Sequence, residues 1–222
     1  MSAFIEPLIL YLVLFFRFVT GPALPEAPVE FSAEAAAVRL VLHVGPSLAL
    51  IWYLLLKTKS AKEWGLALPG KKDALPAVAA LSAIVLVGFV AAFLARNLGG
   101  APEFPRILPP TTAVPWAILA VSVFGGAYLE ESFFRFYLLS PRNGAAPEQT
   151  GYGPMGLGRH RAVFVSTLLF AVCHIHSGPW GFANAAVSGA ILSYIFLRSR
   201  SLHGVSIAHG LYNVLVFVLG PA

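Results

Sequence analysis

Charge is what this sequence has least of. Only 11% of its 222 residues are Asp, Glu, Lys or Arg, against 58% hydrophobic, whereas a water-soluble domain carries roughly 25% charged residues. A surface this poor in charge cannot be kept in water. Disorder is excluded as well, because it takes the opposite imbalance of high charge and low hydrophobicity. Cysteine is nearly absent too. Cys173 stands alone, which rules out an intrachain disulfide framework and any multi-cysteine zinc or iron–sulfur site. There is no long basic tract for nucleic acid: the formal charge of +5 is spread singly or in small groups between apolar runs, where it sets topology. No internal repeat is visible. The apolar run from Pro7 to Phe16 lacks a basic flank, follows Glu6, and is followed by no A-x-A-like site, so it reads as a retained first helix and not as a cleaved signal.

What remains is an all-α, polytopic transmembrane bundle. At about 20 residues per span, the length accommodates six to eight helices, and the apolar segments narrow this to seven or eight. Cutting at Pro, Gly and charge clusters gives seven apolar segments: Ile5–Val19, Ala35–Leu56, Ala74–Leu94, Val114–Leu139, Ala162–Ile175, Phe182–Leu197 and Val205–Leu219. The first and fifth are short, and an eighth short helix fits near Trp64 to Leu68. Basic residues then alternate between the two sides. Lys57, Lys59, Lys62, Lys71 and Lys72, then Arg142, Arg159 and Arg161, then Arg198 and Arg200 put ten of the 15 on one side. The other side holds Arg39, Arg96 and Arg106, with Arg17 near a helix end, and the acids Glu26, Glu30, Glu34 and Glu103. By the positive-inside rule the N-terminus is expected in the cytoplasm and the C-terminus outside.

Within the spans, ionisable residues gather in three places. Glu130, Glu131 and Arg135 interrupt the fourth; His174 and His176 end the fifth; His209 and Asn213 bracket a turn of the seventh. A charge at mid-membrane costs at least about 2.5–3.5 kcal/mol, so such residues are functional candidates by default. Counted from the basic side at 1.5 Å per residue, Glu130 lies roughly 14 Å deep, His174 roughly 18 Å and Asn213 roughly 12 Å. Three helices thus bring an acid, an imidazole and an imidazole–amide pair to similar depth. Spacing of i,i+4 puts Glu131 with Arg135, Phe170 with His174, and His209 with Asn213 on shared faces. Arg135 is expected to neutralise Glu131, leaving Glu130, rotated by about 100°, to face a different cavity. Glu130 is the expected general base and Glu131 the supporting acid.

These residues resemble the motifs of the CAAX protease and bacteriocin-processing family of intramembrane endopeptidases. The family's E-E-x-x-x-R, F-x-x-x-H and H-x-x-x-N read here as Glu130-Glu131-Ser-Phe-Phe-Arg135, Phe170-Ala-Val-Cys-His174 and His209-Gly-Leu-Tyr-Asn213, in order. The resemblance covers roughly Val114 to Leu219. It implies residues 1–113 as N-terminal membrane helices, about three spans, and residues 114–219 as the catalytic helix core of an eight-helix membrane protease. By the same resemblance Glu130 and His174 activate water, and His209 and Asn213 form the oxyanion hole. Glutamic-type hydrolysis follows, of a peptide bond near the terminus of a membrane-anchored or lipid-modified substrate, with no cofactor. The chemistry agrees, since peptide hydrolysis needs a base for water, an acid for the leaving amine and donors for the oxyanion. The family's older description as metalloproteases supplies the alternative, a catalytic zinc on Glu130, His174 and His209. The absence of H-E-x-x-H favours the metal-free route.

Blander and rival readings stand beside this one. His43 and His203 read as packing groups, His176 has no assigned role, and Phe170 reads as packing that orients His174. Cys173 reads as inert core. Ser188-Gly189 resembles a rhomboid serine site with His209 as base, but it has Ala186 where G-x-S-G has glycine and leaves both glutamates unexplained. A proton relay or transporter, or a bacteriocin-immunity protein, is the non-enzymatic alternative. Ala and Pro content and compact size suit a bacterial inner membrane, and no nucleic-acid partner is expected.

Overall fold

The computed structural model describes residues 4–19, 29–57, 68–99, 107–141 and 151–219. Lys59, Lys62, Arg106, Arg142, Glu26, Glu103 and the Trp64 end of the suggested eighth helix lie outside them, as does the Arg17 side chain. Among the described residues seven helical segments follow the seven apolar runs: α1 (Ile5–Val19), α2 (Ala33–Leu56), α3 (Ala74–Leu98), α4 (Ala113–Tyr137), α5 (Arg159–Val172), α6 (Gly178–Ser199) and α7 (Leu202–Leu219). Among the described residues five helices are long and apolar enough to cross a membrane, the exceptions being the short α1 and α5. The chain is an integral membrane helix bundle.

Helix ends differ from the sequence expectation where local chemistry moves them. Ser32 caps α2 by accepting from the Ala35 N–H at 3.1 Å, so the helix starts two residues early. Pro179 falls in the first turn of α6, where its fixed φ favours a start instead of a break, and α6 begins at Gly178. Inside α2, Leu40–Val44 widens to a π-turn immediately before Pro46. A mid-helix proline clashes with the carbonyl four residues back, and such a widened turn accommodates it.

The connections show how the helices alternate. A short parallel pair, β1 (Val29–Glu30) with β2 (Ile107–Leu108), joins the α1–α2 and α3–α4 connections. Trp180 Nε1 donates to the Gly99 carbonyl at 3.1 Å, which brings the α5–α6 connection to that same end. At the opposite end Ser201 donates its hydroxyl to Asp73 and accepts from the Gly204 N–H at 2.9 Å. That buried knot ties the start of α3 to the start of α7, and Arg200 bonds Tyr152 of the α4–α5 connection. Lys71, Lys72, Arg159, Arg198 and Arg200 therefore gather at one end of the bundle.

α7 packs between α3 and α4, α3 also against α6, and α6 against α5. Close approach depends on two glycines of α7. A methyl at Gly210 would sit 2.5 Å from Phe124 Cδ1 of α4, and one at Gly204 would sit 2.9 Å from the Asp73 carbonyl oxygen. Gly210→Ala should therefore lower stability by about 1–3 kcal/mol through overpacking. Thermal unfolding in detergent reads this out, and an unchanged midpoint would contradict the close approach.

Candidate active site

The polar residues of α4 sit at a local change of helix type. Ser132–Tyr137 form a second π-stretch directly after Glu131, and such widened turns concentrate at functional sites. Ser166 of α5 donates to the Phe134 carbonyl at 2.6 Å and anchors α5 to it. α5 itself stops at Val172, and His174 lies in the turn that follows, before the 3-10 segment Ile175–Ser177. Gly178, with φ +73°, makes the reversal into α6, a conformation open to glycine at little cost.

Glu131 and Arg135 are wholly buried, with Arg135 Nε 3.1 Å from Glu131 Oε2. The other carboxylate oxygen of Glu131 bonds His209 Nδ1 at 2.8 Å. Glu130 is the more open acid, 18% exposed, and its Oε2 lies 3.8 Å from His209 Nε2. That oxygen is buried and has no hydrogen-bond partner among the described residues. Both carboxylates address one imidazole, Glu131 from the inaccessible interior and Glu130 from a partly open position. The two ring nitrogens of His209 point in different directions, so side chains about 100° apart on α4 can each meet one.

Phe170 is the hub of the cluster. Its ring lies 4.8 Å from that of His174 and 5.7 Å from that of His209, centroid to centroid, and 4.3 Å below the Arg135 guanidinium. His174 Nδ1 is 2.9 Å from the Phe170 carbonyl. A carbonyl only accepts, so Nδ1 of His174 carries the proton and Nε2 of the neutral ring keeps a free lone pair. The F-x-x-x-H spacing is thereby explained: four residues apart, the backbone of the first sets the tautomer of the second. Asn213 lies one turn beyond His209 on α7, half-buried, and makes no hydrogen bond among the described residues.

Among the described residues no three His, Cys, Asp or Glu side chains converge to hold a metal ion. Nδ1 of His209 is engaged by Glu131 and that of His174 by the Phe170 carbonyl. Engagement of both Nδ1 atoms leaves Nε2 of each ring as the nitrogen that meets substrate, water or a ligand.

The other candidates fall outside the cluster or on its edge. Cys173 is buried and donates its thiol to the Tyr11 hydroxyl at 3.5 Å. Burial pushes a thiol away from the reactive thiolate form, so Cys173→Ala should leave turnover unchanged in a cleavage assay. His176 stacks on His174 at 6.4 Å. His203 packs on Tyr128 at 5.7 Å, and His43 lies in the π-turn of α2. Tyr11 of α1 was not legible from any motif, yet it donates to the Leu169 carbonyl at 3.1 Å and braces the end of α5. Gly189 of α6 is the second residue that sequence reasoning missed in this role. Its carbonyl accepts from Arg135 Nη2 at 3.3 Å and from Ser193 Oγ at 2.7 Å.

The motif-bearing half of the chain has known counterparts. Residues 112–215 match the family model described as type II CAAX prenyl endopeptidase Rce1-like. No curated protein and no solved structure matches the chain.

Proposed function

Starting from a chain whose residues 112–215 match the family model of Rce1-like type II CAAX prenyl endopeptidases, we propose that it is a glutamic-type intramembrane endopeptidase. Its substrate is a membrane-anchored or lipid-modified protein, cut near its terminus. One observation carries the reading. Glu130 is the more open of two adjacent carboxylates, 18% exposed, with its Oε2 unbonded and 3.8 Å from His209 Nε2, while the inaccessible Glu131 is bonded to His209 through Oε1 and lies in ion-pair contact with Arg135 through Oε2. An unpaired acceptor inside a membrane bundle is costly to keep, and water is the small donor that suits it.

In the reaction Glu130, assisted by the lone pair on His174 Nε2, takes a proton from that water as its oxygen attacks the scissile carbonyl carbon. The carbonyl electron pair moves onto oxygen. His209, held as imidazolium between the two carboxylates, donates Nε2–H to the oxyanion, and the Asn213 amide donates beside it. When the C=O reforms, the C–N bond breaks and the captured proton passes to the leaving amine. One water is consumed, and the second proton of that water passes from the new carboxyl group to the amine, so a carboxylate and an ammonium are released. Glu131 and Arg135 do not touch the substrate; they hold Nδ1 of His209 so that Nε2 faces the reacting atoms.

The bacterial inner membrane, with the N-terminus in the cytoplasm, is the setting that composition and the basic end of the bundle support. The test uses the purified protein in nanodiscs with a prenylated C-terminal peptide, its unprenylated counterpart and a membrane-anchored tail. Cleavage of one of the membrane-bound substrates is expected, lost in Glu130→Ala, His174→Ala and His209→Ala. Cleavage that persists in all three variants sinks the assignment. Chelation should leave turnover intact, whereas loss on chelation with recovery on adding zinc would restore the metal reading.

A further inference from the structure

Resting on that reading, we propose that Gly189 of α6, a residue outside all three motifs, is a positioning residue for the reaction: its missing side chain and its carbonyl together set Arg135, and through Arg135 and Glu131 the orientation of His209.

Two independent contacts support this. The carbonyl of Gly189 accepts from Arg135 Nη2 at 3.3 Å, while Nε of the same guanidinium faces Glu131 at 3.1 Å. The guanidinium carbon lies over the Phe170 ring, 4.3 Å from its centroid. Gly189, Phe170 and Glu131 therefore hold one buried cation from three helices, α6, α5 and α4. Glu131 in turn holds His209 Nδ1 at 2.8 Å. The chain of contacts from the Gly189 carbonyl to the imidazole is continuous and wholly buried.

The second contact is steric. A methyl on Gly189 would sit 2.9 Å from Phe170 Cδ1 and 3.6 Å from Arg135 Nη2. A flexible side chain would move aside, but the Phe170 ring has nowhere to go. It is bounded by Phe134 at 5.3 Å, His174 at 4.8 Å and His209 at 5.7 Å, with the guanidinium above it. A displaced Phe170 presses on His174, His209 or the guanidinium that holds Glu131, all of them parts of the proposed reaction geometry. Ser188-Gly189 is thus explained by its glycine and not by its serine: it is where α6 closes over the clamp.

The experiment is a double-mutant cycle on the full chain in nanodiscs, with wild type and Glu130→Gln as references. Gly189→Ala should lower kcat by about 10- to 100-fold, the scale of a misplaced catalytic geometry, with KM within about twofold and a displaced pH–rate profile. Phe170→Leu makes room for the methyl, so Gly189→Ala added to Phe170→Leu should cost nothing further in kcat. Wild-type kcat and pH profile in Gly189→Ala overturn the inference. So does a double variant more than about threefold below Phe170→Leu, a comparison that stays available if Gly189→Ala alone fails to fold. A wild type that cleaves no substrate, or a fully active Glu130→Gln, overturns the proposed function instead, so the two failures are distinguishable.

Discussion

Glu130→Gln should give a folded protein whose kcat is lower by about 10²- to 10⁴-fold, the range that a positioned general base contributes. The amide matches the carboxylate in shape, and the buried Oε2 it replaces has no hydrogen-bond partner to lose. What disappears is the ability to take a proton from water. Stability should therefore be close to wild type, and KM nearly unchanged, because substrate contact is not what the substitution removes. Glu131→Gln is the informative companion. It also loses activity, but through the bonds to Arg135 and His209, and so with a fall in thermal midpoint. Steady-state kinetics and thermal unfolding on both variants separate the roles. Full activity in Glu130→Gln with a stable, inactive Glu131→Gln would exchange them.

Arg135→Ala should be the most destabilising single change in the site, by about 3–5 kcal/mol. Removing one partner of a buried ion pair leaves the other charge uncompensated, and here both side chains are wholly inaccessible. The loss extends to the Gly189 carbonyl and to the face of Phe170, which the guanidinium also contacts. Neutralising the orphan should help: Arg135→Ala with Glu131→Gln is expected to be more stable than Arg135→Ala alone, because no charge is left stranded. Denaturant or thermal unfolding in detergent measures this. If Arg135→Ala unfolds at the wild-type midpoint, the guanidinium is not what holds this part of the bundle.

The helices were largely legible from composition, for a physical reason. In lipid the backbone must satisfy its own hydrogen bonds, so an apolar run of sufficient length has helix as its available form. The short fifth run and its end near His174 were also visible, because Gly178-Pro179 and the polar His-Ile-His-Ser stretch interrupt the apolar pattern. Helix ends were less legible. Ser32 and Pro179 act through caps and first-turn geometry that a hydropathy cut does not register.

At the site, residue types were legible and directions were not. Ideal 3.6-residue geometry separates Glu130 and Glu131 by about 100° but does not say that one imidazole, with its two nitrogens, meets both. Nothing in the local pattern around Ser132 announces the widening of α4 to a π-stretch. Tyr11 and Gly189 were missed because their roles rest on contacts between residues more than 50 positions apart.

Scarcity of charge let the sequence by itself determine the environment, the helical class and the short list of candidate side chains. A membrane tolerates few ionisable groups, so those present stand out. Only the tertiary structure decided which nitrogen faces which carboxylate: Glu131 on Nδ1 of His209, Glu130 towards Nε2, and the Phe170 carbonyl on Nδ1 of His174. Those choices depend on ångström-scale approach between α4, α5, α6 and α7, which Gly189 and Gly210 permit by lacking a side chain. Hydrophobicity drives a helix into the bilayer; packing at those glycines aims its polar atoms.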